Sequence, residues 1–147
     1  MTQEEQNATL IRRWFDEVWN QGRLETVDEL ASQNVVAHGQ LEQGQPIKGT
    51  AHFKSFAQSI RTAFPDIVVT VEDTIAQGDK VVARWTASMT HKGEFLGFPP
   101  SDKKVSVSGI SVQRILEGKI VEGWDSWDQL ALMVQLGAMS KISFMAA

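Results

Sequence analysis

The chain has 147 residues, enough for one domain whose core could enclose a cavity. Fourteen Lys and Arg against eighteen Asp and Glu give a formal net charge of −4, which argues against nucleic acid or an anionic membrane as partner. Cys and Tyr are both absent, so disulfides, thiolate nucleophiles, thiolate metal sites and a phenolic proton donor are excluded.

Thr2 and Glu5 have capping-box spacing and open a first helix. Its apolar stripe runs through Leu10, Ile11, Trp14, Phe15, Val18 and Trp19, and Asn20 to Gly22 end it. Leu24, Val27, Leu30 and Ala31 predict a short second helix, and Asn34 to His38 a brief strand. Gly39 to Gly49 reads as a loop. Thr50 is the expected cap of a third helix carrying Phe53, Phe56, Ile60 and Phe64, which Pro65 stops.

From Ile67 the period changes to two. Ile67, Val69, Val71 and Ile75 share one face of an extended run, and Gly78-Asp79 turns the chain. Val81, Ala83, Trp85, Ala87 and Met89 continue the alternation on a second strand. His91 to Lys104 is a loop with an excess of apolar residues (Phe95, Leu96 and Phe98), expected to be a flap or a dimer contact. A third strand spans Val105 to Leu116, with a parity switch read as a β-bulge at Gly109. Glu117 to Lys119 turns into a fourth strand from Ile120 to Trp127. A last helix carries Leu130, Leu132, Met133 and Leu136, with Gly137 as its stop and an irregular apolar tail from Ala138.

The expected fold class is α+β: a single domain over 1–147, with a curved antiparallel sheet wrapped over N-terminal helices as a cone. The mouth of such a cone is its natural cavity. No run reaches the roughly 18 apolar residues of a membrane span. The polar start, with Glu4 and Glu5, is not a secretory signal, so a cytoplasmic protein is expected.

Several pieces form an ordered series. Glu17-Val-Trp-Asn-Gln-Gly22 and Phe64-Pro-Asp66 come first. Gly78-Asp-Lys-Val-Val-Ala-Arg-Trp85, Thr90-His-Lys-Gly-Glu-Phe95 and Gly97-Phe-Pro-Pro100 follow. Gly118-Lys-Ile-Val-Glu122, Trp124, Asp128 and Gln135-Leu-Gly137 close it. The series resembles the SnoaL-like polyketide cyclase (ester cyclase) family of the NTF2-like superfamily, over nearly the whole chain. The resemblance implies a cone-shaped α+β barrel, a homodimer formed through the sheets, and cofactor- and metal-free aldol closure of a polyketide ring by an aspartate. Spacing to Gln135-Leu-Gly137 places that aspartate at Asp128. One departure stands out: Ser101-Asp-Lys103 replaces the family's usual Thr-Gly-Lys after Pro99-Pro100.

Asp128 is therefore the first acid/base candidate, since a carboxyl in an apolar pocket gains a raised pKa. It would equally cap the helix that begins after it. Asp125 has the opposite parity; it is either solvated or, if the strand bends, the replacement for Asp128. Glu122 shares parity with Trp124, and an ion pair with Arg114 across the turn is its expected state. His91 continues the parity of Trp85 and Met89 and is the expected helper at the substrate oxygen. His38, Trp14, Trp85, Met89, Glu122 and Trp124 complete the expected substrate-binding set, with the indoles suited to a flat apolar ligand. The three histidines show no metal-ligand spacing, and neither a phosphate loop nor a nucleophile elbow is present. The reading is a cyclase acting on a small hydrophobic ketone ester. Its rivals are a non-catalytic binding domain and an isomerase or epoxide hydrolase on the same fold.

Overall fold

The computed structural model describes residues 1–41 and 44–138. The expected irregular tail beyond Ala138 lies outside the described residues. Four helices, α1 (Gln3–Trp14), α2 (Glu25–Leu30), α3 (Thr50–Ala63) and α4 (Gln129–Gln135), accompany six strands. The strands are β1 (Ala31–His38), β2 (Ile47–Lys48), β3 (Val68–Gln77), β4 (Lys80–Thr90), β5 (Lys104–Leu116) and β6 (Lys119–Trp127). They form one sheet in the order β2-β1-β6-β5-β4-β3. The β1–β6 pair is parallel and the rest are antiparallel. This is the expected α+β arrangement, with an open curved sheet rather than a closed barrel, because β2 and β3 remain as edges.

The capping box forms as the sequence predicts: the Glu5 amide donates to Thr2 Oγ1 at 3.1 Å, and the Thr2 amide donates to the Glu5 carboxylate at 3.3 Å. After Trp14 the backbone widens into a π-helical stretch, Phe15–Asn20. Such stretches are rare and concentrate at functional sites. This one is fastened from two sides. Asn20 donates to the Val69 carbonyl at 2.9 Å and accepts from the Val69 amide at 2.6 Å, mimicking a strand partner at the β3 edge. Glu17 accepts from Arg13 at 2.6 Å, from Arg23 at 3.0 Å and from the Thr26 hydroxyl at 2.7 Å, tying the stretch to α2. The Arg13 hydrogen bond, first, and then that of Thr26 hold the Glu17 carboxyl below its ordinary pKa.

Several details differ from the sequence reading, among them the parallel β1–β6 pair in a sheet expected to be antiparallel and the start of β1 at Ala31, which was expected in the second helix. Thr50 is the first helical residue of α3, and Gly49, at φ 88°, takes the cap position. A two-residue strand, β2, interrupts the expected loop and pairs with β1. The register of β3 on β4 shifts between Val71 and Asp73. That bulge reverses the parity beyond it, so Ile75 is turned outward and exposed although Ile67 and Val69 are buried. Finally, β5 has no bulge at Gly109. Its ladder to β4 is unbroken from Thr90↔Lys104 to Lys80↔Arg114. Val105, Val107, Gly109, Ser111, Gln113 and Ile115 all face inward. Gly109 is glycine for another reason: a Cβ there would collide with the Trp85 indole and lie 2.8 Å from the Trp127 Cβ.

Among the described residues, no helix is long and apolar enough to cross a membrane.

Candidate functional site

The inner face of the sheet and helices α1 and α3 line an open-mouthed cavity of about 110 Å3. Its wall is largely aromatic. Trp14 packs on Phe53 at 5.2 Å between ring centroids, and Trp19 meets Phe53 and Phe56 edge-on at 6.1 and 6.0 Å. Trp85 and Met89 line it from β4, and Trp127 from β6. The polar side chains on the wall are few: Gln40, Gln113 and Asp125. An apolar cavity with a small convergent polar set is the usual form of a small-molecule site.

The register of β6 on β5 selects Asp125 for this wall. Gln113↔Gly123, Ser111↔Asp125 and Gly109↔Trp127 are opposed, so the inward residues of β6 are Gly123, Asp125 and Trp127. Ser111 is fully buried. Its hydroxyl oxygen accepts from Trp85 Nε1 at 2.9 Å, and its proton goes to Asp125 Oδ1. Gln40 Nε2 donates to Oδ2. Burial, the dominant effect, raises the Asp125 pKa from 3.8 to about 6, against the opposing pull of the Ser111 and Gln40 hydrogen bonds.

Gln40 is held in turn. Its backbone carbonyl accepts from Trp127 Nε1 at 3.3 Å and from Gln129 Nε2 at 2.9 Å. Gly39 precedes it at φ 79°, and any Cβ there would strike the Asp125 carbonyl. The glycine lets β1's exit pass against β6, which brings Gln40 to the carboxylate.

The expected site residues divide into three groups. Trp14, Trp85 and Met89 line the cavity. His38, Glu122 and Trp124 lie together on the other face of the sheet. His38 Nε2 is 2.7 Å from the Glu122 carboxylate, and its ring stacks on Trp124 at 5.7 Å and 14°. Trp124 is exposed, because its neighbours Gly123 and Asp125 take the inward positions. Arg114, opposite Glu122, pairs with Asp79 at 2.9 Å instead of the expected Glu122.

Asp128 and His91 form the third group. Asp128 is exposed and accepts from the Ala131 amide at 2.9 Å as the N-cap of α4. It stands past the end of β6, off the cavity. His91 is buried and packs on Phe64 at 5.6 Å, with Nδ1 2.9 Å from the Ser101 hydroxyl. Phe64 and Phe95 supply the cavity wall there. The apolar loop is folded in part as a flap, since Phe95 is buried on that wall while Leu96 remains exposed.

Sequence reasoning passed over Gln40, Ser111, Gln113 and Trp127. The supposed bulge at Gly109 turned Ser111 and Gln113 outward on paper; unbroken alternation from Val105 would have placed both inside.

The chain is 28% identical over 129 residues to the aklanonic acid methyl ester cyclase DnrD of Streptomyces peucetius, covering 87% of this chain and 88% of the relative. It is 29% identical over 120 residues to the nogalonic acid methyl ester cyclase of Streptomyces nogalater, covering 81% and 89%. The structure superposes on a SnoaL-like polyketide cyclase candidate from Jannaschia sp. CCS1 with TM-score 0.85 at 28% identity, covering 92% and 94%. It superposes on TsrD from Streptomyces laurentii with TM-score 0.82 at 25% identity, covering 95% and 100%. The model of the SnoaL-like polyketide cyclases matches residues 9–136, and the chain belongs to that family.

Proposed function

We propose that this protein closes a carbon ring in a hydrophobic polyketide ester by intramolecular aldol addition, with Asp125 as the acid/base. The observation that carries the reading is the Asp125 carboxyl on the wall of an apolar cavity, held by Ser111 and Gln40, where burial pushes its pKa up to about 6. A general base works best when its pKa lies near the working pH. Ionised Asp125 removes a proton from a carbon between two carbonyls. The resulting enolate carbon attacks a second carbonyl of the same molecule, forming one carbon–carbon bond. The alkoxide so formed takes the proton back from Asp125, which returns to its starting state. The sum is an isomerisation and calls on no metal or cofactor.

Asp125, rather than Asp128, carries the role in this reading, and His91 packs the wall. The flat aromatic lining suits a polycyclic skeleton. Methyl esters of the kind named for the Streptomyces relatives are the first substrates to try. Exposed Val68 and Ile110 on the sheet's outer face support a homodimer, which light scattering would test. For the activity, wild type and Asp125→Asn are incubated with aklanonic and nogalonic acid methyl esters. Ring closure by wild type and its loss in the variant are expected. Full activity of Asp125→Asn overturns the assignment, and inertness of wild type toward both esters overturns the substrate class.

A further inference from the structure

Gln113 has no task in the arrangement above, yet it is the most deeply buried of the three polar side chains on the cavity wall. It lies on the inner face of β5, opposite Val81 on β4 and Gly123 on β6. Neither of these offers a polar side chain. Its nearest inward neighbours along β5 are Ile115 and Ser111, and the Ser111 hydroxyl is already engaged by Trp85 and Asp125. Gln113 is 6% exposed, and its Oε1 is buried without a hydrogen-bond partner among the described residues. Gly123 lines the cavity beside it and fills no space there. Buried polar atoms are nearly always paired, so the unpaired Oε1 of a residue that lines a ligand cavity calls for a partner on the ligand.

We propose that Gln113 is a specificity-determining residue that binds an oxygen of the ligand one inward step along β5 from the Ser111–Asp125 pair. The inference rests on reading the cavity as the substrate site. Rotation about the last torsion lets the amide accept from a hydroxyl or donate to a carbonyl. Residues two apart on a strand are separated by about 7 Å. The ligand is therefore a flat, mostly hydrocarbon skeleton with a hydroxyl or keto oxygen about 7 Å from the carbon that meets Asp125. A skeleton bare of oxygen at that place leaves the amide unpaired and binds more weakly.

The test uses 2-naphthol and naphthalene as a matched pair, titrated calorimetrically into wild type, Gln113→Met, Gln113→Leu and Asp125→Asn. Wild type is expected to bind the naphthol about tenfold more tightly than naphthalene, the worth of one hydrogen bond to a buried amide. Both Gln113 variants should lose that preference, keep their affinity for naphthalene and show no fall in Tm. Asp125→Asn should keep the preference. Preference retained in both Gln113 variants but lost in Asp125→Asn overturns the inference and leaves the Asp125 reading standing. A fall in Tm with unchanged discrimination marks Gln113 as structural and also overturns it. If wild type binds neither compound, the inference falls together with the cavity reading.

Discussion

Ser111 and Asp125 face each other across β5 and β6, and the serine hydroxyl donates to the aspartate Oδ1. The direction of that hydrogen bond is fixed from the far side. Trp85 Nε1 can only donate, so it occupies a lone pair of Ser111 and sends the hydroxyl proton toward Asp125. Ser111→Ala removes a hydrogen bond that favours the ionised carboxylate. The acid limb of the kcat/KM profile should move to higher pH, and stability should fall by about 1–3 kcal/mol because the buried indole N–H is orphaned. The pH profile and a denaturant titration measure the two effects separately.

Asp125 should destabilise the fold at neutral pH. Its folded pKa of about 6 lies above the ordinary 3.8. The native state therefore holds the proton over a range where the unfolded chain has released it. Stability contributed by the neutral form is complete below about pH 4, is lost as pH rises toward 6, and is absent above that. The difference between the two pKa values corresponds to about 3 kcal/mol. Asp125→Asn should raise the unfolding free energy at pH 7 by up to that amount, leave it nearly unchanged at pH 3, and abolish turnover. Chemical denaturation at the two pH values checks the sign.

Asp128 should behave as a cap. Asp128→Ala removes the acceptor for the Ala131 amide and should cost about 1 kcal/mol, with turnover per folded molecule unchanged. Thermal unfolding and a ring-closure assay on the same preparation separate these outcomes.

Gly109→Ala should be among the most damaging single-methyl changes. The new Cβ meets the Trp85 indole and the Trp127 Cβ at once. Overpacking of this kind costs about 1–3 kcal/mol. Because Trp85 orients Ser111, the variant should also shift the kcat/KM profile, whereas a change in the outer-face pair His38–Glu122 should leave it alone. That pair is half-exposed and worth at most about 1 kcal/mol.

Much of the fold was legible in the sequence because its signals are local. The Thr2–Glu5 box, the stripe through Trp14 and Trp19, and the alternation from Val81 to Met89 each need only their own neighbourhood. The site was harder because a strand's facing depends on register. Trp124 was expected to line the cavity and Glu122 to share its facing, when pairing with β5 puts Gly123 and Asp125 inside. Ile75 was misplaced by a bulge between Val71 and Asp73 that no residue type announces. Conversely, Gly109 suggested a bulge where the glycine makes room for the Trp85 indole and the Trp127 Cβ. Gln40 reaches Asp125 only because a chain segment from β1 passes over β6, a contact between residues 85 apart.

In the proposed reaction the cavity turns Asp125 into an acid/base suited to neutral pH. Carbon-detected NMR titration of the aspartate side-chain carboxyls, with the Asp125 signal assigned by its loss in Asp125→Asn, tests it without any substrate. A midpoint near pH 6 is expected for that signal. A midpoint near the ordinary aspartate value of 3.8 would show a solvated carboxylate and contradict it.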